Sequence, residues 1–399
     1  MGKHRAAIAL ATTALVVAAL GQTGIGNAAV GAVRVALFAE NAAKVNNIKA
    51  SRTPMPGRLL ALNARGKLPS SVLPASCRPS GFTHTLIVSP NPDHVVAGRA
   101  LVETLTGIHD ASADNPYLIK IEPGIYDLEA NSLYMSPHVD VEGSGEGVTT
   151  ITSAVNTGFG TVVGSDNSEL RFVTVKNTGE AGQQVSALFS ERASPRYTHV
   201  TAIASGGTEN DAIHISNGTP VLSYVTASAS GGSRSTGIAN FGGLLTISNS
   251  TVSAADAVDT NLGVLSTFGG TVRANSSTVS ASGGAIAVGL RTNNGNHTVT
   301  NTTLSATGPA ESYGIYNGWR VATPVVTVHQ SRASGGTNSI YSIGGVIQVG
   351  ASQLSGPTGA FNIGSLRCAA SYDAAFNPLT SSCAASAVAS GPASSRRAR

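Results

Sequence analysis

Side chains able to do acid or base chemistry are few in this 399-residue chain, because only 12% of its residues are charged. Glu209, Asp211 and His214 lie close together, with Asp256 and Asp259 further along. A carboxylate near an imidazole is the raw material of acid–base catalysis, and glycoside hydrolysis needs two carboxylates about 5 to 9.5 Å apart. Strict strand alternation puts Asp211 on the side of Ile213 and Ile215, and His214 on the opposite face. That arrangement suits polar turn residues better than a shared pair, so no catalytic residue is assigned. No zinc-type or EF-hand spacing of His, Cys and Asp occurs, and neither a metal nor a cofactor is expected.

Aromatic spacing points to binding. Phe241, Phe268 and Trp319 fall three or four residues after the recurring apolar positions Ile238, Val264 and Ile315, at steps of 27 and 51. Rings repeated at such intervals can line one edge of a repeat protein and offer a strip for sugar rings or other flat apolar faces. Tyr316 and Arg320 flank Trp319 as polar handles. Interior stacking is the competing reading for the two phenylalanines. Three cysteines occur; Cys368 and Cys383 are the natural disulfide, closing a loop of 15 residues, and Cys77 is left over.

The elements that must carry these residues read as strands in a repeat. Gly-Gly pairs begin at Gly206, Gly231, Gly283 and Gly335, at steps of 25, 52 and 52, which sets a unit of 25 or 26 residues. Ile213, Ile238, Val264, Val288, Ile315 and Ile340 recur at that period and suit one interior apolar stack. Asn249, Asn275 and Asn301 step by 26, and stacked rungs would let their amides bond in a ladder. Leucines are too few for a leucine-rich repeat, so a single-stranded parallel β-helix, an all-β solenoid, fits. The apolar face of Leu101, Leu105 and Ile108 marks a short helix over 101–108 that caps the first rung.

Around this domain the chain changes character. Lys3, His4 and Arg5 precede an apolar run at 6–20, so 1–28 reads as a signal peptide or N-terminal anchor. A stem or linker follows at 29–80, the β-helix at 81–383, and a disordered basic tail at 384–399. Leader and tail hold the positive excess; the body is nearly neutral, which argues against nucleic acid. No other segment is apolar enough to form a transmembrane core.

A specific resemblance starts after the capping helix. Pro123-Gly-Ile-Tyr126, Val141-Glu-Gly-Ser-Gly145 and Thr149-Thr-Ile-Thr152 resemble the opening rungs of pectin methylesterases and other pectin-lyase-like proteins. The resemblance implies a right-handed parallel β-helix, secretion and polysaccharide substrates. It does not extend to the chemistry. Gln-Asp-Thr-Leu, Asp-Phe-Ile-Phe-Gly and Leu-Gly-Arg-Pro-Trp are absent, and Leu128 stands where the esterases' early motif has glutamate. The polygalacturonase Asn-Thr-Asp and Asp-Asp pairs are missing too, as are the arginine signature and calcium-binding aspartates of pectate lyases. Residues 32–74 are similar to short segments upstream of β-rich modules in phage tail fibres and bacterial surface proteins. The expectation is a secreted or surface-attached, non-enzymatic protein that contacts polysaccharide or another cell-envelope component. A diverged esterase-like or lyase-like enzyme and a structural stalk are the alternatives.

Overall fold

The computed structural model describes residues 81–156, 158–318 and 324–386, with three short strands at Lys44–Val45, Ile48–Ser51 and Leu59–Leu60. Those three strands pair among themselves, the first two antiparallel and the last two parallel. The leader, the rest of the stem with Cys77, and residues from 387 onward lie outside the described residues.

From Phe82 the chain is a parallel β-solenoid of about nine turns, with rungs near 25 residues. The central rungs lay one strand on each of three faces, and in earlier and later rungs a single longer strand, such as Arg196–Ser205 or Asn338–Gly350, spans two of them. The first face stacks Glu209–Ser216, Arg234–Phe241 and Thr260–Thr267; the second stacks Leu244–Ser248, Thr271–Asn275 and Asn296–Thr300; the third stacks Thr251–Ala255, Thr278–Ser282 and Thr303–Thr307. All pairings between these rungs are parallel. Val252, Val279 and Leu304 fill the interior of the third face, and Ala254, Ala281 and Ala306 lie two residues on, so large and small side chains alternate along each strand. Each fully buried valine or isoleucine contributes about 1.5–3 kcal/mol.

The interior column of the first face runs Ile213, Ile238, Val264, Leu290, Ile315 and Ile340. Val288, expected in that column, instead pairs with Leu262 and Tyr313 in an apolar cluster on the outer side. The uneven steps of 24 and 27 around Val288 become 26 and 25 once Leu290 takes the place.

The corner between the second and third faces corrects the asparagine ladder. Its residues adopt left-handed backbone: Asn249, Ser276, Asn301, Gln330, Ala351 and Ala370 have φ between 48° and 50°. Asparagine tolerates that conformation well, which explains Asn249 and Asn301. Asn275 sits one position earlier, paired with Ser248, so the three amides do not share a column. All three are exposed. The ladder is built of hydroxyls one residue further on: Ser250, Ser277, Thr302, Ser331, Ser352 and Ser371, all buried.

A helix does cap the first rung, over His94–Thr106 instead of 101–108. Asp93 is its N-cap, accepting hydrogen bonds from the Val95 and Val96 amides. Gly98 lies mid-helix, where a Cβ would stand 2.0 Å from the Asp127 carbonyl oxygen, so glycine permits the helix to press onto the rung. At the other end Cys368 and Cys383 are bridged, and the chain is still held at Ala385 through pairing with Leu379. Among the described residues no helix is long and apolar enough to cross a membrane.

Candidate functional site

The outer side of the first face concentrates the polar and aromatic groups, and a bend in each strand determines which side chains reach it. Asp211 pairs with Thr236 and Ile213 with Ile238, but Ala212 and Gly237 between them pair with nothing. The same position holds Ala187, Gly263, Gly289 and Gly314 in neighbouring rungs. Only small residues fit: a Cβ on Gly237 would lie 2.5 Å from Val252 Cγ1 and 2.6 Å from the Gly263 carbonyl oxygen. The bend interrupts the alternation of sides, so Asp211 and His214 do not face opposite ways. His214 Nδ1 lies 3.0 Å from Asp211 Oδ2, which corrects the expectation from strict alternation.

Asp211 is fully buried, and the same Oδ2 accepts from Gln184 Nε2 at 3.0 Å. A carboxylate at Nδ1 favours the tautomer with the proton on that nitrogen, leaving Nε2 as the acceptor. Two residues before Asp211 on the same strand, Glu209 Oε2 forms an ion pair with Arg234 Nη2 of the next rung at 2.6 Å. Asp256 and Asp259 belong to the turn leading to Thr260, where Asp259 accepts from Ser233 Oγ. No contact joins either of them to Asp211 among the described residues.

His214 is also one ring in a row of six. Tyr134, Phe159, Phe189, His214, Phe241 and Phe268 follow one another at centroid separations of 6.3, 5.4, 5.3, 4.9 and 6.0 Å. Phe189 and His214 share a column; in the next rung that column holds Ala239, and the row shifts along the strand to Phe241. Exposure rises toward both ends, to 55% at Tyr134 and 76% at Phe268. Phe241 and Phe268 thus lie outside the solenoid, against the interior-stacking reading.

Tyr316 belongs to a neighbouring cluster with Tyr313 and Tyr341 that packs beside Phe241 on Leu262, Leu265 and Val288. Burial and the Glu311 carboxylate push the Tyr313 hydroxyl up to about 12. Trp319 and Arg320 lie outside the described residues. Of this row the sequence spacing singles out only Phe241 and Phe268, and His214 stands out there for its chemistry alone, although Phe189, His214, Phe241 and Phe268 follow one another at steps of 25, 27 and 27.

A cavity adjoins each end of the row. Near Tyr134 a space of about 390 Å³ lies between the capping helix and the first rungs, lined by Arg99, Asp127, Glu129 and Asn131. Near Phe268 a space of about 400 Å³ is lined by Arg234, Arg291, Asn293 and Asn294 above Leu262 and Leu265. Among the described residues no group of three or more His, Cys, Asp or Glu could hold a metal ion.

No family model matches the sequence, and no curated protein sequence matches it. Solved structures to which the chain is similar include a pectin methylesterase from carrot, 14% identical over 71% of this chain and 83% of that one, with a TM-score of 0.41. The A-module of a mannuronan C-5 epimerase from Azotobacter vinelandii is also 14% identical, over 71% and 96%, with a TM-score of 0.39. The tailspike protein of Acinetobacter phage vB_ApiP_P1 is 10% identical over 75% and 57%, at 0.41. The class rests on the strand pairing of this chain, which is a parallel β-solenoid.

Proposed function

We propose that this chain is an exported, non-enzymatic β-helix protein that holds a polysaccharide along the aromatic row of its first face. The observation that carries the reading is the row itself. Six rings on six successive rungs, 4.9–6.3 Å apart, form a ribbon running up the solenoid. Sugar rings have apolar faces that lie on aromatic rings and polar rims that need hydrogen-bonding partners. Gln184, Glu209 and Arg234 supply those partners beside the rings. Export is supported by the basic and apolar leader, and by a disulfide that suits an oxidising exterior.

The test uses the two exposed ends of the row. Phe268→Ala and Tyr134→Ala should each leave thermal unfolding within about 0.5 kcal/mol of wild type, as surface changes do. Each should weaken retention on a matching immobilised glycan about five- to tenfold. Unchanged retention in both variants on every glycan that holds wild type would remove the row from the site.

The Asp211–His214 contact favours a second reading, a polysaccharide-modifying enzyme in which His214 Nε2 accepts a proton from the sugar. Turnover of any glycan by wild type, abolished in Asp211→Asn, would establish it over the binding protein.

A further inference from the structure

We propose that the cavity at the Phe268 end of the row takes an anionic substituent of the glycan: a carboxylate, a sulfate ester or a phosphodiester. The proposal rests on the glycan-binding reading and narrows it.

Two guanidinium groups line this cavity, Arg234 and Arg291, and no aspartate or glutamate lines it. Arg234 is engaged by Glu209. Arg291 has no carboxylate within ion-pair distance among the described residues. Its guanidinium lies 5.6 Å from the centre of the Tyr316 ring, and its Nε is buried without a hydrogen-bond partner. An arginine half-buried on an apolar cluster without an anion is electrostatically incomplete, because desolvating a charge is costly unless a partner offsets it. The planar fork of its remaining N–H groups matches the paired oxygens of carboxylate, sulfate or phosphate.

The surroundings extend the argument. Asn294 Oδ1 accepts the Gly269 amide at 2.7 Å, which fixes that side chain and leaves its NH₂ to donate. Phe268 lines the same space, so a sugar lying on its ring would carry its substituents over Arg291. The cavity near Tyr134 differs in sign: Arg99 is accompanied there by Asp127 and Glu129. A chain with its acidic group at one end of the bound stretch therefore fits in one direction only.

The experiment compares one glucan hexamer in four forms: neutral, carboxylated, sulfated and phosphorylated. Binding is measured by calorimetry for wild type, Arg291→Gln and Arg291→Lys, with thermal unfolding as the check on folding. Wild type should bind at least one anionic form about tenfold or more tightly than the neutral one. Arg291→Gln should remove that preference while keeping the neutral affinity, and Arg291→Lys should restore only part of it, since the charge remains without the fork. The form with the largest preference identifies the anion. Equal wild-type affinity for all four forms, or a preference that survives in Arg291→Gln, would overturn the anionic site and leave the aromatic row standing. Binding of no form, and of no other glycan on a broad panel, would overturn both.

Discussion

Six hydroxyls run up the corner between the second and third faces, and each makes at least two hydrogen bonds. Ser277 Oγ accepts the Ser250 amide of the preceding rung at 3.2 Å and donates to the Asn275 carbonyl at 2.8 Å. Thr302 does the same for Ser277 and Thr300, and Ser331 for Thr302 and His329. The column thus takes up the amides of Ser250, Ser277, Thr302, Ser331 and Ser352, where the backbone turns between two strands. Ser277→Ala should cost about 1–3 kcal/mol, the cost of leaving a buried donor without its acceptor. Asn275→Ala, on the exposed side of the same corner, should stay within about 0.5 kcal/mol. Urea unfolding of the two variants decides the matter, and equal losses would return the asparagine to a structural role. The period of 26 in the asparagines was legible in the sequence. Which column bears the ladder is not legible, because register within a corner depends on which residue adopts left-handed backbone: Asn249, Ser276 and Asn301 do so here, and the hydroxyl after each forms the ladder. Composition alone does not reveal that.

At the scale of single strands, His297 shows what the solenoid interior demands of a polar residue. It faces inward from Asn296–Thr300, 1% exposed, where Nδ1 accepts the Val272 amide at 3.2 Å and Nε2–H donates to the Asn294 carbonyl at 3.0 Å. Both bonds require the neutral ring, and burial lowers its pKa from 6.5 to about 4. The unfolded chain therefore takes up a proton as pH falls through about 6.5, while the folded chain does not until about 4. Stability contributed by neutral His297 is complete above that window and is lost on the way down, by about 3 kcal/mol in all. His297→Gln, which keeps an acceptor and cannot titrate, should flatten the pH dependence of the urea midpoint between 4 and 6.5. An unchanged slope would assign the dependence to other groups. Strand identity and period were readable from alternating apolar residues, and so was the existence of a cap. The bend at Ala212, Gly237 and Gly263 was not, since small residues serve turns, close packing and plain spacing alike. That bend is what brings Asp211 to His214, so the polar half of the site stayed hidden while the aromatic half was partly visible.

On the scale of the whole molecule, a solenoid differs from a globular domain in that each rung touches only its neighbours, so stability is close to a sum of local terms. The two ends are then the weak points, and they are secured differently. The N-terminal rung is covered by His94–Thr106, which buries Ala97, Leu101 and Leu105 against it. The C-terminal rung, Thr358–Ala369, has no fully buried residue along its length, with Phe361 at 59% and Ile363 at 55% exposed. Its fastening is the Cys368–Cys383 bridge, which ties that strand to the closing loop and buries Cys383 in the core. A 15-residue loop closed in this way contributes about 3 kcal/mol on the chain-entropy account. In a nearest-neighbour molecule that loss should stay local. Cys383→Ser should raise amide exchange up to about a hundredfold at Val346, Val349 and Leu366, whose strands form the last two rungs. Ile213, Ile238 and Val264, in the middle of the solenoid, should exchange as in wild type, and so the row from Phe189 to Phe241 should keep its glycan affinity. Faster exchange of equal size at every rung would mean that the solenoid unfolds as one cooperative body. Unchanged exchange at Leu366 would mean that the end is held by Leu379 and its neighbours without help from the bridge.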